Sequence, residues 1–245
     1  MDSKAARISE LERIEVSLTF IARMLYVEPT EEYLCNLIQE NPFDEAPWGG
    51  EEKHVAKGLA LLSSWASQCR SVQMDCNSLR ELARDLRSEW LELFVGTGSP
   101  KSSLLESYYV EPDGRLFGRN VIDVRETFSR SGLQSEKLHA EPDDNLGLML
   151  SFLAVLVHNE AESLESDDEA LTEKLFKDQN DFLCTHILPW ICVWESLVVR
   201  YARCDYYRGV GLLTFGMIAA YAKRFDIRLD EESSRFVRRA ATTVQ

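Results

Sequence analysis

The sequence predicts an all-α fold, a single globular bundle of many helices, and three observations carry that prediction. Apolar residues recur at steps of three and four along most of the 245 residues, which places them on one face of successive helices. Alternating β-branched runs are too few to build a sheet, and the best of them, residues 193–199, is interrupted by Glu195 and Ser196. Proline and glycine clusters fall at short intervals between the periodic segments, as turns between helices require. At 45% hydrophobic residues, with five Trp, eight Tyr and eleven Phe, the chain has enough apolar surface to bury one large core.

The elements follow in order. Leu11, Ile14, Leu18, Ile21 and Leu25 form the stripe of a first helix, which Glu28 and Pro29 end. Thr30 is placed to cap a second helix carrying Tyr33, Leu34, Leu37 and Ile38. Residues 41–50, with Pro42, Pro47, Gly49 and Gly50, read as a loop before a third helix over 51–68. A fourth helix starts near Asn77 or Ser78, turns Leu79, Leu82, Leu86, Trp90, Leu93 and Phe94 inward, and stops at Gly96, Gly98 and Pro100. Residues 101–118 read as an ordered loop rich in aromatic residues. A helix over 120–131 is closed by Gly132, and another begins at Asp143 or Asp144, where acidic side chains meet the positive end of the helix. Helices over 167–183, capped by Asp167 or Asp168, and over 185–201, with Pro189 in its first turn, come next. Residues 203–224 are apolar on nearly every side and therefore central, and residues 230–241, with Phe236 and Val237, read as an amphipathic tail helix. All of 1–245 is expected to form one domain, with a seam between N-terminal and C-terminal helix groups within 101–143.

Composition narrows the functional classes. Forty-one acidic against 27 basic residues give a net charge of −14, which repels a nucleic-acid backbone and favours a cationic partner. Met1 to Leu11 lacks a basic start followed by an apolar run, because Asp2, Glu10 and Glu12 intervene, so a cytoplasmic protein is expected. The charge-free stretch 209–222 is too short to cross a bilayer, and no membrane span is expected. The six cysteines include no CxxC pair. Cys184, His186 and Cys192 lack the spacing and fourth ligand of a closed metal site, so no metal or cofactor is expected. Phosphate-loop, HExxH and GxSxG motifs are missing as well.

Three segments are too particular for plain packing. WLELFVGTGSP delivers Trp90, Leu93 and Phe94 to a turn at Gly96; EPDDNL holds Glu141, Pro142, Asp143, Asp144 and Asn145; HILPW holds His186 and Trp190. In this order and spacing they resemble the motifs of the TorD/DmsD family of cytoplasmic chaperones, related to the NarJ group. The likeness extends through DYYRGVGLLTFGMIAAY at residues 205–221. Asn145 stands where the family pattern has histidine, and Ile187 where it has leucine.

The resemblance implies an all-helical chaperone that recognises the twin-arginine signal peptide of a molybdopterin-dependent oxidoreductase precursor. It also implies that the apoenzyme is held until its cofactor is inserted, with the chaperone itself carrying no molybdenum. A monomer or a domain-swapped dimer and weak guanine-nucleotide binding belong to the same picture. Such a leader places two arginines beside an apolar run, so its receptor needs ionised carboxylates next to an apolar groove. Glu141, Asp143 and Asp144 are candidates for the first, and Trp90, Leu93 and Phe94 for the second, with Tyr108 and Tyr109 as further lining. The alternatives are a hydrolase or nucleotide-dependent enzyme that uses Asp144 and His186, and a structural subunit of a finished redox complex.

Overall fold

The apolar stripe of the first helix sets the layout. In the computed structural model, which describes residues 3–72, 75–96, 99–111, 118–133 and 142–238, helix α1 (Ser3–Tyr26) buries Leu11, Ile14, Leu18, Ile21 and Leu25 almost completely. Each such side chain contributes roughly 1.5–3 kcal/mol when removed from water. Its main partner is α7 (Leu146–Glu165), and a second long pair forms where α3 (Lys53–Ser71) lies along α10 (Asp205–Ala222). Between these pairs, α1 crosses α10, so N-terminal helices interleave with C-terminal ones around one contiguous apolar cluster running from Leu11 to Ile227. Helix α10 is the central element, with Tyr206, Tyr207, Val210, Leu213, Phe215 and Tyr221 all buried. Its approach to α3 is close enough that a methyl group at Gly58 would sit 2.6 Å from the Leu213 amide nitrogen.

Caps explain several boundaries. Helix α2 (Glu31–Glu40) begins with Thr30 accepting the Tyr33 amide, and α4 (Cys76–Trp90) begins one or two residues earlier than the apolar pattern suggests because Asp75 caps it through Ser78. Helix α6 (Arg119–Arg130) ends at Gly132, whose φ of +74° is the left-handed cap anticipated from the sequence. Asp168 caps α8 (Glu169–Phe182) through the Leu171 amide.

Four expectations are corrected. The stretch read as a loop after Pro100 contains a one-turn helix, α5 (Ser107–Val110). Helix α7 starts at Leu146 with Asn145 as its cap, so Asp143 and Asp144 precede it and no acid lies in its first turn. Residues 185–201 are not one helix: α8 runs into a π-helical turn (Leu183–Ile187), residues 188–190 form a break, and α9 (Ile191–Tyr201) starts afresh beyond Pro189, bent by 54° from the preceding helix.

The fourth concerns the tail. After a 3-10 turn (Lys223–Phe225) the chain forms an antiparallel hairpin of β1 (Ile227–Asp230) and β2 (Arg235–Arg238), where a helix was expected; residues 239–241 of that expected helix lie outside the described residues. The turn chemistry decides this. Asp230 accepts the Glu232 amide and the Ser233 hydroxyl, and Ser234 adopts a φ of +51°. Ile227 is buried, Leu229 and Phe236 face each other across the ladder, and Phe236 packs at 5.9 Å from Phe215, so a period of two buries what a period of 3.6 would have spread around a helix.

The six cysteines are free thiols, and no single helix among the described residues is long and apolar enough to cross a membrane.

Candidate functional site

The three motif segments, far apart in sequence, meet on one short stretch of chain. Helix α4 continues into a π-helical turn (Leu91–Val95) and is reversed at Gly96, whose φ of +64° suits glycine; a methyl group there would fall 2.7 Å from the Pro100 nitrogen. The chain then runs back over its own helix end as a strap, residues 99–111. The Ser102 amide donates to the Leu93 carbonyl at 2.7 Å. Leu105 forms an antiparallel bridge with Asn145, flanked by Glu106 N–H to the Asp144 carbonyl (3.0 Å) and Leu146 N–H to the Leu104 carbonyl (2.7 Å). The first motif thus anchors one end of the strap and the second its middle.

The third motif holds the other end. Glu106, almost fully buried, places one carboxylate oxygen 3.0 Å from His186 Nδ1 and receives the Asn120 amide group on the other at 3.3 Å. Trp190 donates from its indole nitrogen to the His186 carbonyl at 2.5 Å, and its ring stacks on Tyr109 with centroids 4.8 Å apart and planes 12° from parallel. Tyr109 in turn donates its hydroxyl to the Ser103 carbonyl at 2.8 Å. The break at Leu188–Trp190 makes this possible, because a continuous helix through Pro189 would carry Trp190 on round the helix axis and away from the strap.

The acidic motif is engaged within the fold. Asp144, fully buried, accepts the Ser107 amide at 2.8 Å, and Asp143, equally buried, is paired with Arg125 at 2.6 Å. Burial pushes the Asp144 carboxyl above its usual range, an effect the Ser107 amide and hydroxyl partly offset. Burial likewise raises Glu106, and hydrogen bonding to His186 pulls it back part of the way. Asn145 caps α7 by accepting the Gly147 amide at 2.9 Å, the task of a helix cap rather than of an imidazole.

The open apolar surface expected at Trp90, Leu93 and Phe94 is not met. All three are buried: Trp90 donates to the Leu25 carbonyl, and Phe94 packs against Trp194 and Tyr207. The carboxylates of Asp143 and Asp144 are not presented to solvent either. Tyr108, 39% exposed, is the motif-associated aromatic on the outer face, its ring edge-on to Tyr109 and its hydroxyl near Ser99 and the Pro100 carbonyl; Leu91, Val95 and Val110 are also exposed on the π turn and strap. Pro142 is half-buried at the entry to the Asp143–Asp144 turn, and Glu141 lies outside the described residues. Glu106 is the residue that sequence reading missed. Its one signal was a lone acid inside the apolar, aromatic run LLESYYV, an unusual place for a solvated carboxylate.

Residues 53–194 match the family described as nitrate reductase delta subunit. The chain belongs to that family, within its TorD/DmsD branch. Relatives include a probable Tat proofreading chaperone DmsD of Haemophilus influenzae, 21% identical over 93% of this chain and 98% of that protein. Others are the chaperone protein TorD of Vibrio cholerae, 24% identical over 69% and 76% of the two chains, and the Tat proofreading chaperone DmsD of Salmonella typhimurium, 23% identical over 81% and 83%. As a member of this family the chain is a system-specific maturation chaperone, not an enzyme. The alternative that cast Asp144 and His186 as catalytic groups is set aside with it; in the structure both side chains hold the strap in place.

Proposed function

We propose that the chain binds the precursor of a molybdopterin-dependent oxidoreductase through its twin-arginine signal peptide, and holds the apo-form in the cytoplasm until the cofactor is in place. The observation that carries this reading is the convergence of all three motif segments on the strap. Leu93 and Gly96 set its first turn; Asp144 and Asn145 hold its middle; His186 and Trp190, through Glu106 and Tyr109, hold its end. Tyr108, Leu91, Val95 and Val110, all exposed on the strap and the π turn before it, supply apolar contact for the leader's hydrophobic run. The net charge of −14 draws in its arginines. Relatives named Tat proofreading chaperones support the same assignment.

Calorimetric titration with a peptide bearing two adjacent arginines and an apolar helix-forming run tests it. Tyr108→Ala should weaken binding roughly tenfold, about 1.4 kcal/mol, with the salt dependence unchanged, since an apolar contact is lost and no charge. For the native chain, affinity should fall as salt rises through the range where Debye screening sets in. A folded native chain that binds neither this peptide nor a twin-arginine apoenzyme precursor overturns the reading. Co-purification with mature, cofactor-loaded enzyme would favour a structural subunit instead.

A further inference from the structure

The break between α8 and α9 has a second face. While His186 and Trp190 turn to the strap, Leu188 and Pro189 turn the other way and form one wall of a groove of about 430 Å³, whose opposite wall is the terminal hairpin. Ile227 and Phe236 complete an apolar lining, and Arg235 and Arg238 stand with them. Such a volume lies within the range of binding clefts.

Its charge runs against that of the molecule. In a chain of net charge −14, strand β2 reads RFVR, two guanidiniums in four residues with no acid among them. Three neighbouring carboxylates are engaged elsewhere. Asp230, across the ladder from Arg235, accepts the Glu232 amide and the Ser233 hydroxyl; Glu231 is paired with Lys53; and Asp181, one turn before Cys184, lies 3.8 Å from Lys177. Arg238 donates to the Asn180 side-chain carbonyl at 2.9 Å, and the side chain of Arg235 makes no hydrogen bond or ion pair among the described residues. Leaving a rigid fork of five donors unmatched beside apolar surface is a poor way to stabilise a fold and a good way to receive a carboxylate.

We propose that this groove is a second client site, for an acidic segment with interspersed apolar residues from the body of the client polypeptide. The inference rests on the chaperone reading and deepens it. A leader bearing two arginines is repelled by Arg235 and Arg238, so the occupant is a different part of the client. A polypeptide fits better than a free small anion because the groove is open along the hairpin, and neither outer strand edge forms a backbone hydrogen bond to the rest of the described chain. An extended segment has there both backbone partners and a lining that is apolar and cationic together. Client engagement is then two-signed, with an acidic surface for the leader and a cationic groove for the mature part.

Fluorescence anisotropy of the full chain with a labelled peptide of glutamates alternating with leucine and phenylalanine, run beside the arginine-pair peptide, tests this. The native chain should bind the acidic peptide saturably. Arg235→Glu, at an exposed position outside the core, should weaken it by roughly tenfold or more while leaving the arginine-pair peptide unaffected. Arg235→Lys should retain part of the affinity, since charge persists without the fork. The proposal is overturned if the native chain does not bind the acidic peptide, if Arg235→Glu binds it as well as the parent does, or if inorganic pyrophosphate displaces it at concentrations that leave the ionic strength unchanged, which would mark a small-anion site. Loss of arginine-pair binding in the native chain, with the acidic peptide still bound and still sensitive to Arg235→Glu, would sink the leader assignment and leave the groove standing.

Discussion

Glu106 and His186 form one of the buried contacts that tie the strap to the rest of the fold. The folded state holds the Glu106 proton more tightly than the unfolded chain does, because burial penalises the carboxylate more than His186 stabilises it. The folded protein therefore binds more protons in a window that opens near the ordinary glutamate value of 4.5 and extends upward to the raised one, and this residue's contribution to stability falls as pH rises through that window. Asp144 acts in the same direction from its ordinary value of 3.8. Glu106→Gln should flatten this part of the profile, keeping a neutral partner for His186 and Asn120, as thermal melting followed from pH 4.5 to 8 would show. His186→Ala should cost about 1–3 kcal/mol at neutral pH, because it leaves Glu106 facing Asn120 alone. Equal melting temperatures for this variant and its parent would show that the contact does not hold the strap.

At the scale of elements, caps and breaks carry the architecture. Asn145→Ala should cost about 1 kcal/mol in urea unfolding through loss of the α7 cap, and Asn145→Asp should restore most of it. If Asn145→Ala instead unfolds like the parent, the Gly147 amide has another partner. Gly58→Ala should be far worse, since the α3 and α10 backbones must separate; a loss above roughly 2 kcal/mol is expected. Most elements were legible because their signals are local: the Leu11 to Leu25 stripe, the Thr30 and Asp168 caps, and Gly132 each act within a turn or two of themselves. The hairpin was not, because Phe236 and Val237 suit either period and the choice rests on contact with Phe215, some twenty residues away in the chain. The site was legible as three motifs, but not as a strap. Glu106 finds Asn120 14 residues on and His186 80 residues on, separations at which no pattern in a single sequence speaks.

Across the whole molecule, one buried charge ties the helical layers together. Glu160 of α7 has no exposed surface and is held by Arg7 of α1 at 2.9 Å, Arg224 beyond α10 at 3.0 Å and Gln179 of α8 at 2.8 Å, with Tyr221 donating to Gln179 at 2.6 Å. Removing the carboxylate leaves the largely buried Arg224 without its ion pair at the junction of four elements, while the half-exposed Arg7 turns to water. Glu160→Ala is expected to cost about 3–5 kcal/mol by equilibrium urea unfolding, with binding of both client peptides retained wherever the variant is folded. A loss below about 1 kcal/mol would mean that water replaces the carboxylate freely.

The stack of Trp190 on Tyr109 makes the position of the strap optically readable. An indole clamped face to face against a phenol, with its nitrogen bonded to a backbone carbonyl, has an emission set by those two neighbours, and it responds when either one leaves. A chain in which Trp190 is kept and the other four tryptophans are replaced by phenylalanine would report strap displacement by the wavelength of its fluorescence alone, without a label and while the client is arriving.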